Sequence, residues 1–155
     1  MTTQALHHIL CAVRGGPESR TTAAHAISLA LEHDARLTFF HVLDAEFLDH
    51  ALVVPLSVIY QELHEMGKFS MMILCERAER AGVEKVDTIV REGSIREQLR
   101  RIAIETQADL MIMGRPVRSP GSNVFKPAEF DAFIANLEAV GGDLQVVQVT
   151  PSTET

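Results

Sequence analysis

Short apolar runs of strand length alternate along the chain with stretches in which apolar residues recur every three or four positions. That alternation predicts βαβ units and a parallel sheet. The first run is Ile9 to Val13. It leads through Gly15 and Gly16 to Pro17, which suits a first helical position because its missing N–H would go unpaired there anyway. Ala24, Ile27 and Leu31 then recur at helical spacing. "RLTFFHVL" reads as the second strand. A long helix from Ser57 to Ala81 places Ile59, Leu63, Met66, Ser70, Ile73 and Leu74 on one face, with Gly82 as its stop.

"VDTIV" is the third strand. Ser94 and Glu97 have the S-x-x-E spacing of a capping box, and Ile95, Leu99 and Ile102 form the buried stripe of the helix they begin. "DLMIMG" shows no polar alternation, as expected of a strand covered on both faces. Phe130, Phe133, Ile134 and Leu137 define a fourth helix that ends at Gly141-Gly142, and "LQVVQV" closes the sheet. Five strands and four helices in this order predict one α/β domain over residues 1–150, an open parallel sheet with helices on both faces. The polar tail 151–155 is expected to be mobile. The apolar connection from Asp44 to Leu56 reads either as a lid or partner surface, or as a segment packed on its own domain.

A chain of 155 residues is long enough for one such core. Its formal charge of -7 argues against nucleic acid or an anionic membrane as a main partner. Cys11 and Cys75 are far apart in sequence, and the apolar setting of Cys11 reads as a reduced structural thiol. The first residues carry neither a basic n-region nor a long apolar core, and no run approaches the ~20 apolar residues of a membrane span. A cytoplasmic location is expected. The seven histidines show no ligand spacing, so no metal is expected, and nothing marks a catalytic nucleophile. Met66, Met71, Met72, Met111 and Met113 read as core fillers, with an exposed patch at Met71 or Met72 as the alternative.

The segment "EMGKFSMMILCERAERAGVEKVDTIVREGSIREQLRRIAIETQADLMIMG" resembles the universal stress protein family. Its marks are a helix ending A-G-V, a strand ending E-G, a helix ending Q-A-D-L and an apolar strand ending M-G. The opening "HHILCAVRGGPESRTTAAHAISLA" is similar to that family's first strand and helix. The resemblance implies a Rossmann-like sheet of order 3-2-1-4-5, with a ligand crevice where the order reverses. Val13, Arg14, Val42, Gly114, Arg115, Arg118, Gly121 and Ser122 are the candidate crevice residues. It also implies an antiparallel homodimer through the last strand, Leu144 to Val149, an edge suited to pairing. A role in stress physiology, with protein partners the sequence does not identify, likewise follows only from the resemblance.

The family's nucleotide-binding pattern is only partly present. It has an acidic residue after strand one, where this chain has Arg14. It has G-x-x-G, nine residues, then Gly with Ser or Thr. Here Gly114 is kept, Val117 replaces the second glycine, and Pro127 and Ala128 open the last helix. A phosphate cradle needs free N–H groups at a helix N-terminus. Pro127 offers none, Ala128 has no hydroxyl, and Glu129 and Asp131 would repel a triphosphate. A degenerate site with no cofactor and no turnover is therefore the first reading.

The second reading is a remodelled pocket. There Arg14, Arg115, Arg118 and Lys126 would hold ATP, AMP or a smaller anion, and Gly121-Ser122 would supply a displaced turn. A third draws on "RGGPES", which loosely resembles the S-G-G-x-D-S loop of ATP pyrophosphatases. There Arg14 replaces the first Ser, Glu18 replaces Asp, and Pro17 removes an N–H.

Overall fold

The structure is a computed structural model, and it describes residues 6–13, 19–43, 56–114, 127–140 and 144–149. Five strands, β1 (His8–Ala12), β2 (Arg36–Leu43), β3 (Val86–Glu92), β4 (Leu110–Gly114) and β5 (Gln145–Val149), form one sheet. Its order is β3-β2-β1-β4-β5, and all its pairings are parallel. The helices are α1 (Ser19–His33), α2 (Leu56–Ala81), α3 (Ile95–Thr106) and α4 (Pro127–Val140). The expected architecture is therefore the observed one. Among the described residues no helix is long and apolar enough to cross a membrane.

Both faces of the sheet are covered, which explains the unbroken apolar runs. On one face Ile9, Cys11, Leu37, Phe39 and Ile112 meet Ala23, Ala26, Ile27 and Ala30 of α1 and Met71, Leu74 and Ala78 of α2. On the other, Leu10, Phe40, Met111 and Met113 meet Leu99, Ile102 and Ala103 of α3 and Phe133, Ile134 and Leu137 of α4. Phe39 and Phe40 are neighbours in β2, so the strand's period of two sends one to each layer. Each buried side chain of this size contributes about 1.5–3 kcal/mol.

Four local readings need correction. Leu31 is exposed and so is Ala24, because α1 docks through its small residues, and Leu31 lies against Gly82 instead. In α2 the buried face is Gly67, Met71, Leu74 and Ala78, while Met66 and Ile73 point outward. Leu63 and Ser70 are half-buried, and the Ile59 side chain lies outside what is described, as does that of Phe130. Of the five methionines assigned to the core, Met71, Met111 and Met113 are buried, but Met66 and Met72 are exposed. Ser94 does occupy the N-cap of α3 in extended geometry, yet its side chain makes no capping hydrogen bond. Glu97 pairs with Arg101 one turn on, at 2.8 Å, in place of the reciprocal box contact.

The expected stops hold where glycine is needed. Gly82 ends α2 at φ +112°, a region costly for any residue with a Cβ. Pro17, the Asp44–Pro55 part of the apolar connection, Gly141-Gly142 and the tail lie outside the described residues.

Candidate functional site

The order of the sheet reverses between β1 and β4, which pair in register from Ile9 with Leu110 to Ala12 with Met113. In an open parallel sheet the crevice for a ligand forms beyond the carboxyl ends of such strands. Val13 and Gly114, each one residue beyond that last pair, sit side by side there. Val42 lies at the same end, two residues past the Phe40 that pairs with Ala12. The structure thus brings together three of the sequence-derived candidates. Arg14, Arg115, Arg118, Gly121 and Ser122 lie outside the described residues, as do Val117 and Lys126.

The backbone at this end is closely tied. The Val13 N–H donates to the Phe40 carbonyl at 2.9 Å, and its own carbonyl accepts from His41 Nδ1 at 2.8 Å. A carbonyl can only accept, so the His41 proton lies on Nδ1. The imidazole in turn sits under α2: a Cβ at Gly67 would lie 3.0 Å from His41 Cδ2. Gly114 is held as closely, since a Cβ there would lie 3.1 Å from the Thr22 hydroxyl of α1. Thr22 is buried. Sequence reasoning missed His41, Thr22 and Gly67, and a histidine in a strand or a threonine in a polar helix start carries no periodic signal that would reveal them.

Nearby, His64 Nδ1 of α2 is buried and, among the described residues, has no hydrogen-bond partner. It stands 3.8 Å from Glu92 Oε1, beyond hydrogen-bond range. A second polar cluster occupies the opposite, amino end of the sheet. His8 Nε2 is 2.8 Å from Thr38 Oγ1, and the Thr38 hydroxyl donates to Asp87 at 2.6 Å. Arg36 donates to the other Asp87 oxygen at 2.7 Å, and Asp109 accepts the backbone N–H groups of His7 and His8. This network joins β1, β2, β3 and the start of β4, away from the crevice.

Among the described residues no group of three or more His, Cys, Asp or Glu side chains is placed to hold a metal ion. Cys11 is buried and free, and burial pushes its thiol well above the usual range. Cys75 is also raised, by burial first and then by Glu79. Neither thiol is a ready nucleophile, because the thiolate is the reactive form.

The sequence model of the universal stress protein family matches residues 5–126. The chain belongs to the universal stress protein family. No curated protein matches the chain. Its fold is shared with the universal stress protein UspA of Lactobacillus plantarum, at a TM-score of 0.70 and 18% identity over 95% of this chain and 99% of that one. A universal stress protein family member from Burkholderia pseudomallei aligns at 0.71 and 20% identity, covering 97% of this chain and 100% of its own. A universal stress protein of Archaeoglobus fulgidus, solved in complex with dAMP, aligns at 0.58 and 11% identity over 94% and 98% of the two chains. At such identities the likeness is one of fold. This universal stress protein therefore has the family's sheet, and the identity of any ligand rests on its own residues.

Proposed function

We propose that this universal stress protein is a cytoplasmic regulatory or scaffolding protein of the stress response, without turnover, whose nucleotide cradle has degenerated. The observation that carries this reading is the start of α4 at Pro127. A phosphate-binding helix presents its first free N–H groups to the ligand, and this helix opens on a residue with none. Gly114, the one motif glycine that survives, has a packing reason to be glycine in the nearby Thr22 hydroxyl. Arg14 stands where nucleotide-binding relatives have an acidic residue. Exchange of signals with protein partners, and pairing of two copies through Leu144 to Val149, complete the proposal.

The Archaeoglobus relative solved with dAMP favours one other reading, an adenine-nucleotide sensor with a remodelled loop. In it Arg14, Arg115 and Arg118 would supply the positive charge for phosphate. One experiment separates the two. Freshly purified protein is denatured and searched for released nucleotide by mass spectrometry, then titrated calorimetrically with ATP and AMP. The degenerate site predicts no released nucleotide and no heat at millimolar ligand. Bound adenine nucleotide, or micromolar affinity, would establish the sensor and refute the scaffold.

A further inference from the structure

Helix α2 packs on β2 and β3, and its first half reaches their carboxyl ends. Gly67 sets its seat there: a Cβ would lie 3.0 Å from His41 Cδ2 of β2 and 3.8 Å from Val90 Cγ1 of β3. His64 stands one turn before Gly67 on the same side of the helix. Glu92 stands two residues beyond Val90, so the strand's period of two gives both the same face of the sheet. The His64 imidazole and the Glu92 carboxylate are thereby brought to one place, with Nδ1 3.8 Å from Oε1.

The two groups stop short of a bond. The separation is too long for a hydrogen bond, and the buried Nδ1 has no other partner among the described residues. A buried polar atom left this way is costly. The backbone on both sides is held, by Gly67 against His41 and by the Gly93 N–H on the Leu43 carbonyl at 2.9 Å. The Glu92 side chain is 53% exposed, so its rotation alone can close the gap. Among the described residues, Glu92 is the charge that faces His64 from β3. Arg91 is turned to the other face, where it pairs with Glu105 of α3. From β2, His41 lies under Gly67 with its Nδ1 proton given to the Val13 carbonyl. On α2 itself, Glu65 and Lys68 are exposed.

We propose that His64 and Glu92 form a pH-operated latch, closed when His64 is protonated, that fixes the first half of α2 to the end of β3. Histidine is the side chain whose charge changes between pH 5 and 8, and glutamate is ionised over that range. A protonated imidazole donates from both nitrogens, so Nδ1 gains in Glu92 the partner it lacks, through a charge-assisted bond. The latch acts beside the crevice, because the Gly67 it holds down covers the His41 that fixes Val13. Acid therefore seats α2 more firmly at that end, whether the crevice is empty or filled.

Urea unfolding of wild type, His64→Gln, Glu92→Gln and the double variant at pH 5.5 and 8.0 tests this. Both side chains are partly exposed, and the replacements are uncharged. At pH 5.5, Glu92→Gln should lower the folding equilibrium constant about threefold when His64 is present and hardly at all in His64→Gln. At pH 8.0 that difference should shrink towards none. His8 is common to all four proteins, so its own acid loss cancels from the cycle. A second measurement needs only the wild type: the Glu92 carboxyl carbon resonance should follow the titration of the His64 ring. The proposal is overturned if the coupling is absent at pH 5.5, if it is equally large at pH 8.0, or if the Glu92 resonance ignores the His64 titration.

Discussion

Half-buried beside Thr38, the His8 imidazole has lost much of its water. Burial is the largest influence and lowers its proton affinity below the usual histidine range. Arg36 adds to this, while Asp87, the Thr106 carbonyl and Asp109 pull the other way. The unfolded chain therefore takes up this proton more readily than the folded one. Stability from His8 is fully present above pH ~6.5 and declines as the pH falls towards the lower folded value. Asp87 acts in a more acidic window. Burial opposes its charge, but the hydrogen bonds from Arg36 and Thr38 prevail and hold its carboxyl below the usual range. Its contribution persists above pH ~4 and is lost only below that. Urea unfolding at pH 7.5 and 5.5 should thus show a smaller acid loss in His8→Gln than in wild type. An equal loss in both proteins would mean that His8 is not the titrating group.

At the scale of elements, α1 approaches the sheet mainly through alanines and α2 in part through Gly67 and Ala78, and two close contacts at glycines, Gly67 and Gly114, shape the candidate site. Gly114 lets α1 bring the Thr22 hydroxyl to within 3.1 Å of where a Cβ would be. Gly114→Ala should cost about 1–3 kcal/mol through overpacking, with no nucleotide present. Thr22→Ala should recover part of that cost, so that the double variant is less destabilised than the two singles summed. Additive costs in a denaturation cycle would show that the glycine is kept for another reason.

The same smallness set the limit of what the sequence revealed. Strand positions were legible to within one or two residues, because a sheet covered on both faces needs unbroken apolar runs. Helix existence was legible from spacing, and so was the facing of α3 through Leu99 and Ile102 and of α4 through Phe133, Ile134 and Leu137, but the facing of α1 and α2 was not. The inward face of α2 mixes Met71 and Leu74 with Gly67 and Ala78, while the equally apolar Met66, Phe69, Met72 and Ile73 lie outside. A pattern that ranks positions by hydrophobicity turns such a helix the wrong way. Of the site, the end of β1 and the end of β4 were legible from strand order. The His41 contact to Val13 was not, since it depends on two strands meeting in register.

At the scale of the molecule, the sheet has two edges, and their chemistry differs. The β3 edge carries Asp87, Arg91 and Glu92, charges of the kind that discourage pairing with another chain. The β5 edge reads QVVQV, with no charge at all. Of the two, β5 is the one suited to receive a second copy. The Gln145 N–H points inward, to the Asp109 carbonyl at 3.0 Å. By the alternation of a parallel ladder, Val146 and Gln148 direct their backbone groups outward. Gln148→Pro should therefore remove an outward donor while sparing the ladder to β4, a position where an edge strand tolerates proline. If the copies pair through β5, this variant should shift towards monomer at low concentration and should keep its thermal unfolding cooperative. Unchanged sedimentation in a folded Gln148→Pro protein would exclude β5 pairing.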